Sequence, residues 1–151
     1  MKALISTIMK TENGLDTLSI RIGAGVIFAA HGAQKLFGWF GGYGLEGTGA
    51  WMASIGIEPG ILMAALAGSA EFFGGLVLIV GLLVRPAALL LAITMLVAIV
   101  SVHLQNGLFM ANNGYEFGLA LLVISIALAI RGAGGLSLDR LVHAQINAST
   151  R

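Results

Sequence analysis

Six ionisable side chains interrupt or border long apolar stretches of this 151-residue chain: Arg21, His31, Lys35, Glu71, His103 and Glu116. A charge inside a membrane helix costs at least ~2.5 kcal/mol on insertion scales, and it normally faces a bundle interior or a polar cavity. Such residues are therefore the leading candidates for chemistry. Lys35, His31 and Arg21 can donate hydrogen bonds, and Glu71, Glu116 and His31 can carry protons. Arg21, Ala24, Phe28, His31 and Lys35 recur at intervals of three and four residues, so on a helix they share one face, which is expected to point inward. Glu71 shares its face with Ala64, Ala67, Gly68, Gly74 and Gly75, small residues that let a neighbouring helix approach closely. His103 near the end of one apolar run and Glu116 at the start of the next belong at the same depth as His31 and Lys35. Together with Gln34, Gln105 and Tyr115 they are expected to meet in one outward-opening pocket.

Plainer readings stand beside that one. Lys35 can snorkel to the interface, and His103 and Glu116 can be wetted helix ends. Glu71 can pair with Lys35 or Arg21 merely to fix helix register, and His31 can be a core histidine donating to a carbonyl.

The elements that must hold these residues are four apolar runs. They cover residues 18–40, 61–84, 86–104 and, once Tyr115 and Glu116 are included, 115–131. A helix rises about 1.5 Å per residue and needs roughly 20 residues to cross the ~30 Å hydrocarbon layer. Composition agrees: 58% of residues are hydrophobic, 10% are charged and the mean hydropathy is +0.95, whereas soluble domains carry about 25% charge. The expected fold is all-α, a single integral membrane domain over 1–151 built as a four-transmembrane-helix bundle. A Gly-rich outer loop, 41–59, joins the first two spans and contains a short amphipathic piece around residues 51–55. Val84-Arg85-Pro86 is the tight turn between the second and third spans, with Pro86 suited to a first helical position. Residues 1–10 offer too short an apolar stretch for a signal peptide, so the first long helix is expected to stay.

Lys2, Lys10, Arg85, Arg131, Arg140 and Arg151 all fall at the termini or in the second connection, and the first and third connections contain no Lys or Arg. The positive-inside rule then places both termini and Arg85 in the cytoplasm and 41–59 outside. The near-zero formal net charge of +1 gives no general attraction to nucleic acid. With no cysteine, disulfides, thiolate metal sites and iron–sulfur clusters are excluded.

Several signals carry little. Gly42-Tyr43-Gly44-Leu45-Glu46-Gly47 matches a dinucleotide-binding pattern, but it follows an apolar helix instead of a strand. Asn147-Ala148-Ser149 fits a glycan acceptor on the side where no glycan is expected. His31 and His103, on different helices at similar depth, meet the minimal requirement for two axial ligands of a b-type haem. No pair of residues has the spacing of a di-iron helix motif, and no metal site is expected.

The ordered set Arg21, Phe28, His31-Gly32, Lys35-Leu36-Phe37, Glu71, Gly74-Gly75 and Gly81-Leu82-Leu83-Val84-Arg85 resembles the DoxX family. His103-Leu104-Gln105-Asn106-Gly107 and Gly114-Tyr115-Glu116 continue the resemblance, which covers nearly all of 18–139. It implies a small four-helix protein of a bacterial inner membrane, related to subunits linked to quinol oxidase and thiosulfate:quinone oxidoreductase activities. Other members are associated with quinone or catechol stress. Without cysteine, persulfide chemistry has no residue to use, and electron transfer would need a partner subunit or a bound quinone.

Two functions remain. In the first the chain is a quinone-linked oxidoreductase component, with Arg21, His31, Gln34, Lys35, Glu71, His103, Tyr115 and Glu116 binding the ligand and Glu71, Glu116 and His31 passing protons. In the second it is not an enzyme but a small-molecule transporter or an assembly subunit of a membrane complex. Gly-rich helix faces also permit a homo-oligomer.

Overall fold

The computed structural model describes residues 14–148 together with Thr7, Met9 and Thr11. Lys2, Lys10 and Arg151, three of the cations used to orient the chain, lie outside the described residues, as does Ser149 of the glycan-like triplet. Among the described residues the chain is helical and contains no strand. The α-helices are α1 (Leu18–Phe37), α2 (Gly44–Ser54), α3 (Gly60–Val80), α4 (Val84–Ala98), α5 (Glu116–Arg131) and α6 (Leu138–Ala148). A π turn, Ile99–His103, and a 3₁₀ turn, Leu104–Asn106, extend α4 without a break.

Helix ends fall where glycine takes a left-handed conformation. Gly38 (φ 73°) stops α1 at Phe37, short of the expected residue 40, and Gly81 (φ 73°) stops α3 at Val80, short of residue 84. The tight turn is therefore 81–83, and Pro86 is the third residue of α4. It still lies in the first turn, where a backbone N–H has no intrahelical acceptor. Gly60–Val80 and Val84–Asn106 are long and apolar enough to cross a membrane. α1 has 20 residues but carries Arg21, His31, Gln34 and Lys35, and the 16 residues of α5 rise only about 24 Å.

α1 packs most extensively on α3, and α4 on α5. The α1–α3 contact is glycine-mediated: a Cβ added at Gly25 would stand 2.7 Å from the Gly75 carbonyl, and one at Gly32 2.7 Å from the Gly68 carbonyl. Gly74 faces the other way, where an added Cβ would lie 3.1 Å from Leu91 of α4. Val84, Ala88, Leu91 and Met95 of α4 close a buried apolar core with Leu121 and Leu128 of α5 and with Phe28 and Leu78. α2 lies on the start of α3, with Gly49 against Ile61. It replaces the shorter piece expected around 51–55.

One end of the bundle is tied by buried charges. Arg21, 2% exposed, donates through Nε to the Ala133 carbonyl (3.0 Å), through Nη1 to Leu78 (2.8 Å) and Ile79 (2.6 Å), and through Nη2 to Leu136. It thereby caps the Ile79 carbonyl in the last turn of α3 and adds a second donor to the Leu78 carbonyl, which also accepts from the Gly81 N–H. Asp139, 1% exposed, caps the start of α4 by accepting from the Leu83 N–H (2.7 Å) and the Val84 N–H (3.0 Å). At the same end Arg131 of α5 pairs with Asp16, just before α1, at 2.5 Å.

Candidate functional site

The inward face of α1 delivers its residues at two depths. Arg21 is spent on the backbone clamp, whereas Lys35, three turns and more further along, reaches across to α3. Its Nζ donates to Glu71 Oε2 at 2.5 Å. The Glu71 side chain is 4% exposed and that of Lys35 25%, so the carboxylate lies in the packed interior and the ammonium reaches it from a wetter position. Glu71 thus pairs with Lys35 and not with Arg21.

This pair forms part of the wall of a cavity of about 1030 Å³ bounded by α1, α2, α3, α4 and α5. His31 and His103 line the same cavity. The His31 ring stands 5.9 Å from that of Phe117 on α5. His103 is carried by the π turn, a deformation that frequently marks functional positions in helices. Its Nδ1 lies 2.9 Å from the Asn113 carbonyl. A carbonyl only accepts, so Nδ1 donates, and Nε2 of the neutral ring remains an acceptor. Asn106 Nδ2 donates to the Val102 carbonyl at 3.1 Å, supporting the same turn.

Four of the eight residues expected to bind the ligand therefore line one cavity, His31, Lys35, Glu71 and His103, and Gln105, also expected in the pocket, is not in its lining. The other four do other work or lie off its wall. Arg21 clamps the opposite end. Gln34 Nε2 donates to the Phe40 carbonyl at 3.3 Å, holding the turn after α1. Glu116 Oε1 accepts from the Met110 N–H at 2.6 Å, and its own N–H donates to Leu108. Tyr115 bonds through its backbone N–H to the Gly107 carbonyl. These last contacts fold the connection between α4 and α5 onto the start of α5.

Of the apolar and aromatic lining, Phe28 falls on the inward face expected of α1, whereas sequence reasoning missed Phe73 and Phe117, Trp51 and Met52 of α2, and Tyr43. The only signal for it was Trp51 in an otherwise Gly-rich connection. The chemistry available is that of an apolar chamber with one salt-bridged wall and two histidines, suited to a flat, largely apolar ligand bearing a few polar atoms.

Comparison with known proteins identifies the family. The family model described as DoxX matches residues 17–104, a stretch that contains Arg21, His31, Lys35, Glu71 and His103. A Bacillus subtilis protein named "Putative oxidoreductase CatD" is 37% identical over 128 residues, covering 85% of this chain and 87% of that protein. An uncharacterized protein of Haemophilus influenzae is 43% identical over 65 residues, 43% of each chain. No solved structure matches significantly. With a family match over more than half of its length and a relative aligned along most of both chains, this protein belongs to the DoxX family.

Proposed function

We propose that this chain is a quinone-linked oxidoreductase component of a bacterial inner membrane, crossing the bilayer four times with both termini in the cytoplasm. The observation that carries the reading is the Lys35–Glu71 pair on the wall of a cavity otherwise dominated by apolar side chains, with His31 and His103 on the same wall. A quinone becomes a quinol by taking up two electrons and two protons. Its carbonyls need hydrogen-bond donors and a proton source in a place shielded from water. Lys35 supplies the donor, Glu71 beside it exchanges the proton, and the histidines extend the route. A partner subunit of the membrane complex supplies or accepts the electrons. The oxidoreductase name carried by the CatD relative supports the same class of activity.

The test is quinone reduction and quinol oxidation by the purified protein together with its native partner subunits. A positioned acid–base group contributes roughly 10²–10⁴-fold, so Glu71→Gln is expected to lower turnover by at least about 10²-fold with the protein still folded. Unchanged turnover in that variant removes Glu71 from the proton route. Quinone binding without any turnover favours the transporter or assembly role instead.

A further inference from the structure

The cavity is not closed toward the bilayer, and the way it is open constrains what it holds. α3 and α4 leave their hairpin at 81–83 in contact, with Gly74 seated on Leu91. At and beyond that contact two stripes line the cavity. Leu66, Ala70 and Phe73 recur at helical spacing on α3, and Leu90, Ile93 and Val97 do so on α4. Leu66 (56% exposed), Phe73 (58%) and Val97 (47%) line the cavity and are open to the surroundings of the bundle at once. A side chain meets both conditions only at a mouth. While Tyr43 (82%) and Met110 (58%) meet the same conditions at the α2 end, the mouth at Leu66, Phe73 and Val97 lies between two helices that are themselves of spanning length and hydropathy, so it opens onto hydrocarbon. Its inner end is the Lys35–Glu71 pair, one turn of α3 past the Gly74–Leu91 contact.

A volume of about 1030 Å³ stands at the upper end of the roughly 300–1,000 Å³ range that accommodates a whole drug-sized molecule, well beyond the needs of a single ring. We infer that the α3–α4 groove is a lateral portal, and that the ligand is an amphiphile drawn from the bilayer, its polar head against Lys35 and Glu71 and its long hydrocarbon tail lying out between the two stripes. The inference rests on the cavity being the binding site proposed above, and it adds the route of entry and the need for a tail. Chain physics sets a condition on it: each buried CH₂ contributes about 0.8 kcal/mol when removed from water, but a tail already dissolved in lipid gains nothing from water exclusion. Selection for a tailed ligand must therefore come from the fit of the tail in the groove.

Two tryptophans are present in the chain, and Trp51 lines the cavity while Trp39 does not. In a Trp39→Phe background, quenching of Trp51 fluorescence reports occupancy of the chamber. The protein is placed in lipid nanodiscs and titrated with a decyl-substituted benzoquinone and with its tail-less parent, both concentrations expressed per lipid. The expected result is at least tenfold tighter binding of the decyl compound, with the ratio falling toward one in Val97→Phe and in Leu66→Phe. Both variants enlarge an exposed side chain at the mouth, which leaves the packed core intact. Equal affinities in the wild type, or an undiminished ratio in both variants, overturn the portal and leave the ring-binding reading standing. If neither quinone quenches, the quinone reading fails, and the portal is then judged with nanodiscs of brominated-acyl phosphatidylcholine. Quenching of Trp51 that drops at least twofold in Val97→Phe upholds lateral entry for another tailed amphiphile. Quenching that is absent or indifferent to narrowing, as when a second copy of the chain covers the groove, overturns it.

Discussion

The guanidinium of Arg21 reaches four carbonyls from two separate segments, Leu78 and Ile79 of α3 and Ala133 and Leu136 beyond α5. A planar fork spreads five donors over two segments at once, whereas a lysine offers three from a single nitrogen and cannot span all four carbonyls. Hydrogen bonds to charged groups contribute about 1.5–3 kcal/mol each, so Arg21→Lys, which abandons one segment, is expected to cost about 3 kcal/mol. Unfolding of the purified variant in micelles checks this, and a loss below about 0.5 kcal/mol contradicts the clamp. Its neighbour Asp139 titrates against the usual direction. Burial pushes its carboxyl above the ordinary value, against the pull of the Val84 and Leu83 N–H groups and of Arg21 and Arg85. A raised folded-state value means the folded protein holds the proton longer, so this group stabilises fully below about pH 3.8 and loses that contribution as pH rises through the raised value. Asp16 behaves oppositely: the hydrogen bond from Arg131 holds its carboxyl below the ordinary range, so its contribution is present above about pH 3.8 and is lost as pH falls through the lowered value. Melting curves from pH 3 to 7 should therefore show wild type losing ground to Asp139→Asn as pH rises and gaining ground on Asp16→Asn, the latter effect shrinking with added salt. Arg21 also shows what spacing can tell. The recurrence of residues 21, 24, 28, 31 and 35 locates a shared inward face, but azimuth is not depth. At about 1.5 Å per residue, Arg21 and Lys35 stand roughly 20 Å apart along the helix, which is why one is a clamp and the other a site residue. Glu116 was legible as a polar group at the right level. Its use on the Met110 N–H was not, because loop conformation leaves no periodic trace.

Glycine decides how the helices meet. A Cβ at Gly32 would press on backbone atoms of Gly68 and Phe72, which cannot swing aside as a side chain tip does, so α1 and α3 would have to separate and the Lys35–Glu71 pair with them. Gly32→Ala is expected to destabilise by about 1–3 kcal/mol, in the range of overpacked cores, and to weaken quinone binding in parallel. Gly23, on the same helix with nothing within 4 Å of an added Cβ, provides the internal control: Gly23→Ala should stabilise by about 0.5–1 kcal/mol, the helical preference for Ala over Gly. Equal effects at both positions would deny the close contact. The small-residue face of α3 was readable from sequence as a packing surface. The partner glycines of α1 stand among charged residues that break up any small-residue stripe in the sequence. α2 escaped for a related reason, since three glycines in 44–54 lower intrinsic helicity and the helix exists through its contact with α3. α6, with 11 residues and mixed polarity, falls below any length a membrane reading looks for. Its position is fixed by the cap that Asp139 places on α4.

The ends of the molecule are chemically unlike, and that asymmetry bears on its orientation. Arg21, Arg85, Arg131 and Arg140 gather where α1 and α4 begin, where α3 and α5 finish, and where α6 lies. The opposite end, with α2 and the turn that carries His103, has Glu46 and Glu58 and no arginine. Arginines on the cytoplasmic side follow the positive-inside rule, and in that orientation the exposed Leu136, Leu138 and Leu141 set α6 beside the inner headgroups as an interfacial helix. The absence of cysteine makes this testable without background, since any cysteine introduced is the sole thiol. Ser54→Cys at the end of α2 should react with a membrane-impermeant maleimide in intact spheroplasts, and Gln145→Cys on α6 only after permeabilisation. Both positions are exposed, so a lack of reaction cannot be blamed on burial. An even number of crossings requires Arg85→Cys, in the α3–α4 turn region, to follow Gln145→Cys. If α5 failed to span, residue 145 would change sides while residues 54 and 85 kept theirs. Labelling at residues 54, 85 and 145 thus tests the crossings after α1, because α3 must cross to part residue 54 from residue 85, and α4 and α5 must cross together to keep residue 145 inside with the arginines.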